Sequence, residues 1–479
     1  MCGILGIYGH GDVAAELLMG LTALQHRGQD AAGVVTLDSA FRLKKGLGTV
    51  SNVFGPEDLE RLTGSSGIGH VRYATQGKNE VLDAQPFSVN YPFGLAMAHN
   101  GNVINFRELR SHIFNEHNRL LETSSDLELI LYSLATKLER KDPKAFTPED
   151  VFDAVASTQA EVRGAYSTVT IIARRGFVAF NDPHGIRPLV MGERSTPEGP
   201  AYAFASETSC LDCLGYRVCR DLEPGEVVFV DHERTVHSRV CRRECPAFCV
   251  FEYIYFSRED SILRGRLVAG ERAAMGKLLA RRIREAGLSP DVVIDVPSSA
   301  YFFASGLAEE LGVPYRRGLA KNNHVGRSFI APTQAERETM VRQKLNPIRG
   351  VVRDKKVAVV DDSIVRGTTS RHIVRLLRAS GASEVYLVSA SPPITHPCIY
   401  GIDMAIRREM IAAGRPVEEL ARTIGADAVV FQSLDDLKEL YRDRPCCFAC
   451  FSGEYPVAGS LELIKQIEEE REASKGGVR

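Results

Sequence analysis

Short apolar runs broken by glycine fill the first half of the chain. Gly67-Ile-Gly-His-Val-Arg72, Gly94-Leu-Ala-Met-Ala-His99, Tyr166-Ser-Thr-Val-Thr-Ile-Ile-Ala173 and Glu226-Val-Val-Phe-Val230 read as strands, and a helix runs from Asp126 to about Leu138. This mixture predicts an α+β unit with largely antiparallel sheets. From about residue 265 the texture changes. Helical stretches Arg272–Ala286 and Ser370–Ser380 alternate with apolar strands Val292–Val296, Val357–Val360 and Val385–Val388. Such alternation predicts an α/β unit with a mainly parallel, doubly wound sheet. The polar, cysteine-containing stretch 232–250 separates the two textures. The expected units are therefore 2–235 and 250–455, followed by a charge-rich amphipathic helical tail over 456–479.

Charge narrows the function. The 479 residues carry a net charge of −2, with 44% hydrophobic and 25% charged residues, which gives no electrostatic case for nucleic acid or an acidic membrane as partner. No apolar run is long enough to span a bilayer, and the first residues lack the pattern of a signal peptide. A cytoplasmic location is expected. There, the 11 cysteines point to metal binding or catalysis rather than to a disulfide framework.

Cys2 is the first chemical candidate. Removal of Met1 would leave its thiol beside a free α-amine whose ordinary pKa is about 7.7–8.0, so that nucleophile and base share one residue. Arg72 leaves a strand with a planar fork suited to an α-carboxylate. An Asn100-Gly101 turn offers a side-chain amide and a backbone N–H, the donors of an oxyanion hole. Asp126 opens a helix and could grip an α-ammonium, or simply cap the helix. With Cys2-Gly3-Ile4, Leu24-Gln-His-Arg-Gly-Gln-Asp30, Asp182-Pro-His-Gly-Ile-Arg-Pro-Leu189 and Ala205-Ser-Glu-Thr208, this ordered set resembles the class II, N-terminal-nucleophile glutamine amidotransferases over roughly the first 230 residues. The resemblance implies an αββα glutaminase in which Cys2 attacks glutamine. Asn100 and Gly101 hold the oxyanion, and Arg72 and Asp126 hold the amino-acid end. Thr75-Gln76-Gly77 departs from the family wording, and His70 and His99 read as structural.

The second half decides what receives the nitrogen. Lys356-Val-Ala-Val-Val-Asp361-Asp362-Ser363-Ile364-Val365-Arg366-Gly367-Thr368-Thr369 is a buried strand ending in two acids, then a loop entering a helix. Ligands of open α/β sheets bind at such strand ends. Backbone N–H groups and hydroxyls ahead of a helix suit a phosphate, whereas the acids suit ribose hydroxyls and Mg²⁺. The string from Val359 to Arg371 resembles the phosphoribosyl-pyrophosphate (PRPP) motif of type I phosphoribosyltransferases. That resemblance implies PRPP contacts from Asp361, Asp362, Ser363, Val365, Arg366, Gly367, Thr368 and Thr369. It also implies Mg²⁺ near Ser299, Asp361 and Asp362, and a closing loop that carries Lys321 and Arg327. Asn323-His324 stands where that family usually has Arg-Tyr, and Ser261–Glu271 also reads differently, although Arg272 is kept.

Together the halves resemble enzymes that pass ammonia from glutamine through an internal channel to PRPP. The implied product is 5-phosphoribosylamine, the first committed intermediate of purine synthesis, made by a homotetramer under purine-nucleotide feedback. Some relatives hold a [4Fe–4S] cluster. The matching positions Cys249, Cys398, Cys447 and Cys450 are all cysteine here, with zinc or plain buried thiols as rivals and Cys245 and Cys446 as neighbours. A PRPP-sensing regulator lacks support, because no basic face or helix-turn-helix pattern is present. Asp361–Thr369 argues against another acceptor.

Overall fold

The computed structural model describes residues 1–73, 80–322, 345–402 and 407–467. The first half holds two antiparallel sheets. In chain order the strands are β1 (Gly3–Tyr8), β2 (Ala31–Leu37), β3 (Phe41–Leu47), β4 (Ser66–Arg72), β5 (Phe87–Val89), β6 (Leu95–Val103), β7 (Gly164–Ile172), β8 (Gly176–Asn181), β9 (Val190–Thr196), β10 (Gly199–Ala205), β11 (Arg217–Asp221), β12 (Glu226–Asp231) and β13 (Val236–Val240). One sheet has the order β11-β9-β10-β1-β4-β2-β3, the other β13-β12-β8-β7-β6-β5.

Alternation explains the layering. Phe177 and Ala179 of β8, with Val228 and Val230 of β12, face inward to meet Ile4, Val35 and Ile68 of the other sheet. The intervening Val178, Phe180, Val227 and Phe229 face outward onto helices Phe106–His117, Leu127–Glu139 and Pro148–Glu161. Helix Ala14–Ala23 covers the outer face of the first sheet through Leu17 and Leu21, packed with Leu5, Ile7 and Val71. The result is the expected αββα sandwich, each face apolar at every second residue.

The second half carries a parallel sheet in the order Val292–Asp295, Lys356–Asp361, Glu384–Ser389, Ala428–Phe431. It is buried on both faces. Val357, Val359, Val385 and Leu387 meet Ile373, Leu377 and Leu420 of one helical layer. Ala358, Val360 and Val388 meet Met275, Leu279 and Phe303 of the other. Sheets covered on both sides read as continuous apolar runs, as these strands do. The apolar cluster under helix Ala14–Ala23 continues through Phe248, Val250 and Ile254 into this second layer, so one core joins the halves. The tail is helical over 460–467, and 468–479 lie outside the described residues. Among the described residues no helix is long and apolar enough to cross a membrane.

One local expectation is corrected. Asn100-Gly101 does not form a turn; β6 runs through it, with Asn100 opposite Ser167 and Gly101 opposite Tyr166. Gly101 has φ +154°, and a Cβ there would stand 1.9 Å from the Ala165 carbonyl oxygen. Only glycine fits so close to the neighbouring strand.

Candidate active sites

Cys2 immediately precedes β1, the central strand of its sheet. Its backbone nitrogen lies 3.3 Å from Asn100 Oδ1, and its Sγ 3.8 Å from the Tyr73 carbonyl. Met1 is buried, and its amine is lowered to about 5, chiefly by loss of water. Asn100 Nδ2 is buried and has no hydrogen-bond acceptor among the described residues. Its carboxamide is therefore pinned on the oxygen side while its donors stay unused. Such a group suits an oxyanion that exists only during reaction.

Arg72 and Asp126 lie alongside. Arg72 ends β4, buried, with a guanidinium nitrogen 4.0 Å from Asp83 Oδ2. Asp83 in turn accepts from the Ser124 N–H at 3.0 Å and hydroxyl at 2.8 Å. Asp126 sits at the N-cap position of helix Leu127–Glu139, but its side chain does not cap the helix. Instead Asp126 Oδ2 accepts from the Val103 N–H at 2.8 Å and lies 3.3 Å from His99 Nε2. Burial pushes this carboxyl up, yet His99 and the Val103 N–H outweigh it and hold it below the ordinary range. Gln85 fixes His99 from both sides, with contacts of 2.8 Å to its N–H and 2.9 Å to Nδ1. The structure thus gathers Cys2, Asn100, Gly101, Arg72 and Asp126 around one end of the sandwich. Residues 74–79, including Thr75-Gln76-Gly77, lie outside the described residues. Asp83 and Gln85 escape a reading of the sequence, because a lone acid and amide in a loop carry no spacing signal.

The second candidate site sits at the carboxyl end of the parallel sheet. Strand Lys356–Asp361 delivers Asp361 and Asp362, both buried. Ser299 donates its hydroxyl to Asp362 Oδ2, and Ser363 donates to Oδ1 at 2.7 Å. Lys321 Nζ lies 3.2 Å from Ser298 Oγ, so three loops converge. Burial and then the Asp362 charge push the Asp361 carboxyl well up; burial also raises Asp362, against the Ser299 and Ser363 hydroxyls and Arg272. Two adjacent buried acids of this kind are poised for a cation. Their all-oxygen donor set, with Ser299, fits a hard ion such as Mg²⁺. Helix Thr368–Ala379 begins directly after Gly367 (φ +69°), and no side chain among the described residues caps it. Its first N–H groups lack side-chain caps among these residues, and Thr368 and Thr369 are exposed, an arrangement whose chemistry suits a phosphate. Val365 is tied by its carbonyl to the Ile411 N–H at 2.8 Å, and Arg366 makes an exposed 3.1 Å pair with Glu409. Arg327, Asn323 and His324 lie outside the described residues.

A third cluster joins the halves. A short parallel ladder sets Phe248 opposite Cys446 and Cys249 opposite Cys447, and helix Ala449–Ser452 adds Cys450. The Tyr400 N–H points at Cys398 Sγ, 3.4 Å away. Cys450 is near enough to Cys249, Cys398 and Cys447 to feel the charge of all three, and Cys447 that of Cys249 and Cys398. Burial pushes the Cys249 thiol up to about 11 and also raises Cys447 and Cys450. Among the described residues, no three His, Cys, Asp or Glu side chains are gathered tightly enough for a single metal ion. Four thiolates about 2.3 Å from one Zn²⁺ would have to stand about 3.8 Å apart. Four thiols are soft donors, the chemistry that both zinc and iron–sulfur groups require.

The two candidate sites, one in each half, are those of a two-site enzyme, a glutamine amidotransferase joined to a phosphoribosyltransferase. The family comparisons agree: residues 70–213 match the glutamine amidotransferase domain and 267–391 the phosphoribosyl transferase domain. The chain is 45% identical to amidophosphoribosyltransferase of Pasteurella multocida, covering 98% of this chain and 96% of that one. It is 46% identical to the Escherichia coli protein of the same name, covering 92% and 89%. Among solved structures it superposes on glutamine PRPP amidotransferase from B. subtilis, complexed with ADP and GMP, with TM-score 0.84 and 40% identity over 95% of this chain and 97% of that one. The chain belongs to the amidophosphoribosyltransferase family.

Proposed function

We propose that this chain catalyses the reaction of its family, with Cys2 hydrolysing glutamine and the released NH₃ attacking C1 of PRPP. The products are glutamate, 5-phosphoribosylamine and pyrophosphate, and the reaction is the first committed step of purine synthesis. The observation that carries the glutaminase half is the buried, unused Asn100 amide beside Cys2. Removal of Met1 turns the Cys2 nitrogen into an α-amine that can take the thiol proton. Asn100 Nδ2 and the Gly101 N–H hold the oxyanion, while Arg72 and Asp126 hold the two charged ends of the amino acid. Ammonia in bulk water at neutral pH is mostly protonated, so transfer inside the protein keeps it in the form that attacks.

At the second site, Asp361 and Asp362 take the ribose hydroxyls, and with Ser299 they hold Mg²⁺. Ser363 to Thr369 and the helix N-terminus take the 5-phosphate. Lys321 and Arg327 neutralise the departing pyrophosphate. Mg²⁺ supplies charge compensation for the diphosphate when bound. The glutaminase unit is read as 2–235 and the phosphoribosyltransferase unit as 250–455, with 456–479 as tail. Cys249, Cys398, Cys447 and Cys450 are assigned to a [4Fe–4S] cluster, which would tie three distant segments together. A homotetramer, purine-nucleotide feedback and a cytoplasmic location complete the reading, supported by the family and by eleven unpaired thiols.

Cys2→Ala tests it. Glutamine-dependent synthesis should vanish while ammonia-dependent synthesis survives, and mass spectrometry should find the mature chain beginning at Cys2. Unchanged glutaminase activity in the variant would overturn the nucleophile assignment.

A further inference from the structure

Four charged side chains lie buried where the two halves meet: Arg27, Arg187, Glu207 and Glu252. Arg27 Nε donates to the Cys2 carbonyl at 2.9 Å. Its two terminal nitrogens grip Glu252, at 3.0 Å to Oε2 and 2.9 Å to Oε1, and one also meets Glu207 at 2.6 Å. Glu252 lies beyond both antiparallel sheets, in the helical turn Glu252–Phe256. Ser257 donates to its Oε2 at 2.8 Å. Its Oε1 also stands 3.7 Å from Arg187, whose Nε donates to the Tyr400 carbonyl at 2.8 Å.

Tyr400 belongs to a segment that touches the oxyanion strand as well. The Ile399 carbonyl accepts from Asn102 Nδ2 at 2.8 Å, and a Cβ on Gly401 would come within 2.9 Å of the Gly101 carbonyl oxygen. The backbone of the nucleophile is thus held by Arg27, which is itself anchored on Glu252 of the second half, and the oxyanion strand is tied to the second half through the Asn102 side chain. One carboxylate completes the first of these connections. Losing the Glu252 carboxylate takes from Arg27 and Arg187 a buried partner of opposite charge, next to Cys2.

We propose that Glu252 is a positioning residue for glutamine hydrolysis, setting the place of Cys2 through Arg27 and linking it through Arg187 to the Tyr400 segment. This rests on Cys2 being the nucleophile. Glu252 is fully buried and bonded to Arg27 and Ser257; it acts by fixing the carbonyl from which the nucleophile hangs. A nucleophile displaced by about 1 Å loses roughly 100-fold in rate.

The test uses full-length Glu252→Gln, which keeps the shape and removes the charge. A glutamine-like electrophile should label Cys2 about 10- to 100-fold more slowly. Glutamine-dependent kcat should fall likewise with little change in KM for glutamine, while ammonia-dependent synthesis persists. Glu252→Asp, which keeps the charge on a shorter arm, should recover part of the labelling rate. Labelling at the wild-type rate would overturn the proposal. Equal loss of both syntheses, or failure of both variants to fold, would reduce Glu252 to a structural residue and overturn it too. Label found on another thiol in the wild-type protein would instead overturn the nucleophile assignment.

Discussion

Asn102 donates its side-chain amide to the carbonyl of Ile399, 297 positions away, across 2.8 Å of buried space. Asn102 lies on β6, two residues past Asn100, and Ile399 follows Cys398. One hydrogen bond therefore fastens the glutaminase strand to the second half beside the thiol cage. Removing the amide strands a buried carbonyl, which costs about 1–3 kcal/mol. Asn102→Ala should unfold more easily by that amount in denaturant titration. It should also hydrolyse more glutamine per phosphoribosylamine formed, because a loosened seam lets ammonia escape. An unchanged ratio would show that the seam does not confine ammonia.

Asn100 makes a sharper case. Its oxygen faces the Cys2 nitrogen while its buried Nδ2 has no acceptor among the described residues. Asn100→Ala should lower glutamine-dependent kcat by about 10²–10³-fold. Ammonia-dependent synthesis should be spared, since it bypasses the oxyanion. A rise in KM with kcat intact would assign Asn100 to ground-state binding instead.

Which of these features a reader could find in the bare chain depends on the range of the interaction. The apolar run Val227, Val228, Phe229 and Val230 is written locally, so that strand was legible, whereas the two cores between which it alternates were not. The run from Asp361 to Thr369 was legible too, because strand, acids and helix start follow one another directly. Asn100-Gly101 misled at short range: the dipeptide favours a turn, but pairing with Ser167 and Tyr166 keeps it extended. The Arg27–Glu252 pair was invisible, since its partners are 225 positions apart and neither residue type is unusual in its local setting.

The thiol cage gives a test that does not require activity. Cys450 is buried with Cys249, Cys398 and Cys447 around it. Purified anaerobically, the protein should contain iron and acid-labile sulfide. Cys450→Ser should lose most of both, and its Tm should fall by several degrees as three segments come untied. Stoichiometric zinc without sulfide in the wild-type protein would refute the cluster.

Asp361 and Asp362 make the protein's stability depend on pH in an unusual direction. Burial and mutual repulsion raise the Asp361 pKa in the folded chain. Between its unfolded value, about 3.9, and that raised value, the folded state binds more protons than the unfolded state. Stability contributed by this site therefore falls as pH rises through the window, opposite to an ordinary paired carboxylate. Mg²⁺ with PRPP should reverse the loss by neutralising the pair. Asp361→Asn should be more stable than wild type at pH 7 without ligands, yet gain little from Mg²⁺–PRPP and lose at least about 100-fold in synthesis. Thermal unfolding across pH 4 to 8, with and without the ligands, measures each part. If the variant were no more stable at neutral pH, the buried pair would not carry the strain that its cation is assigned to relieve.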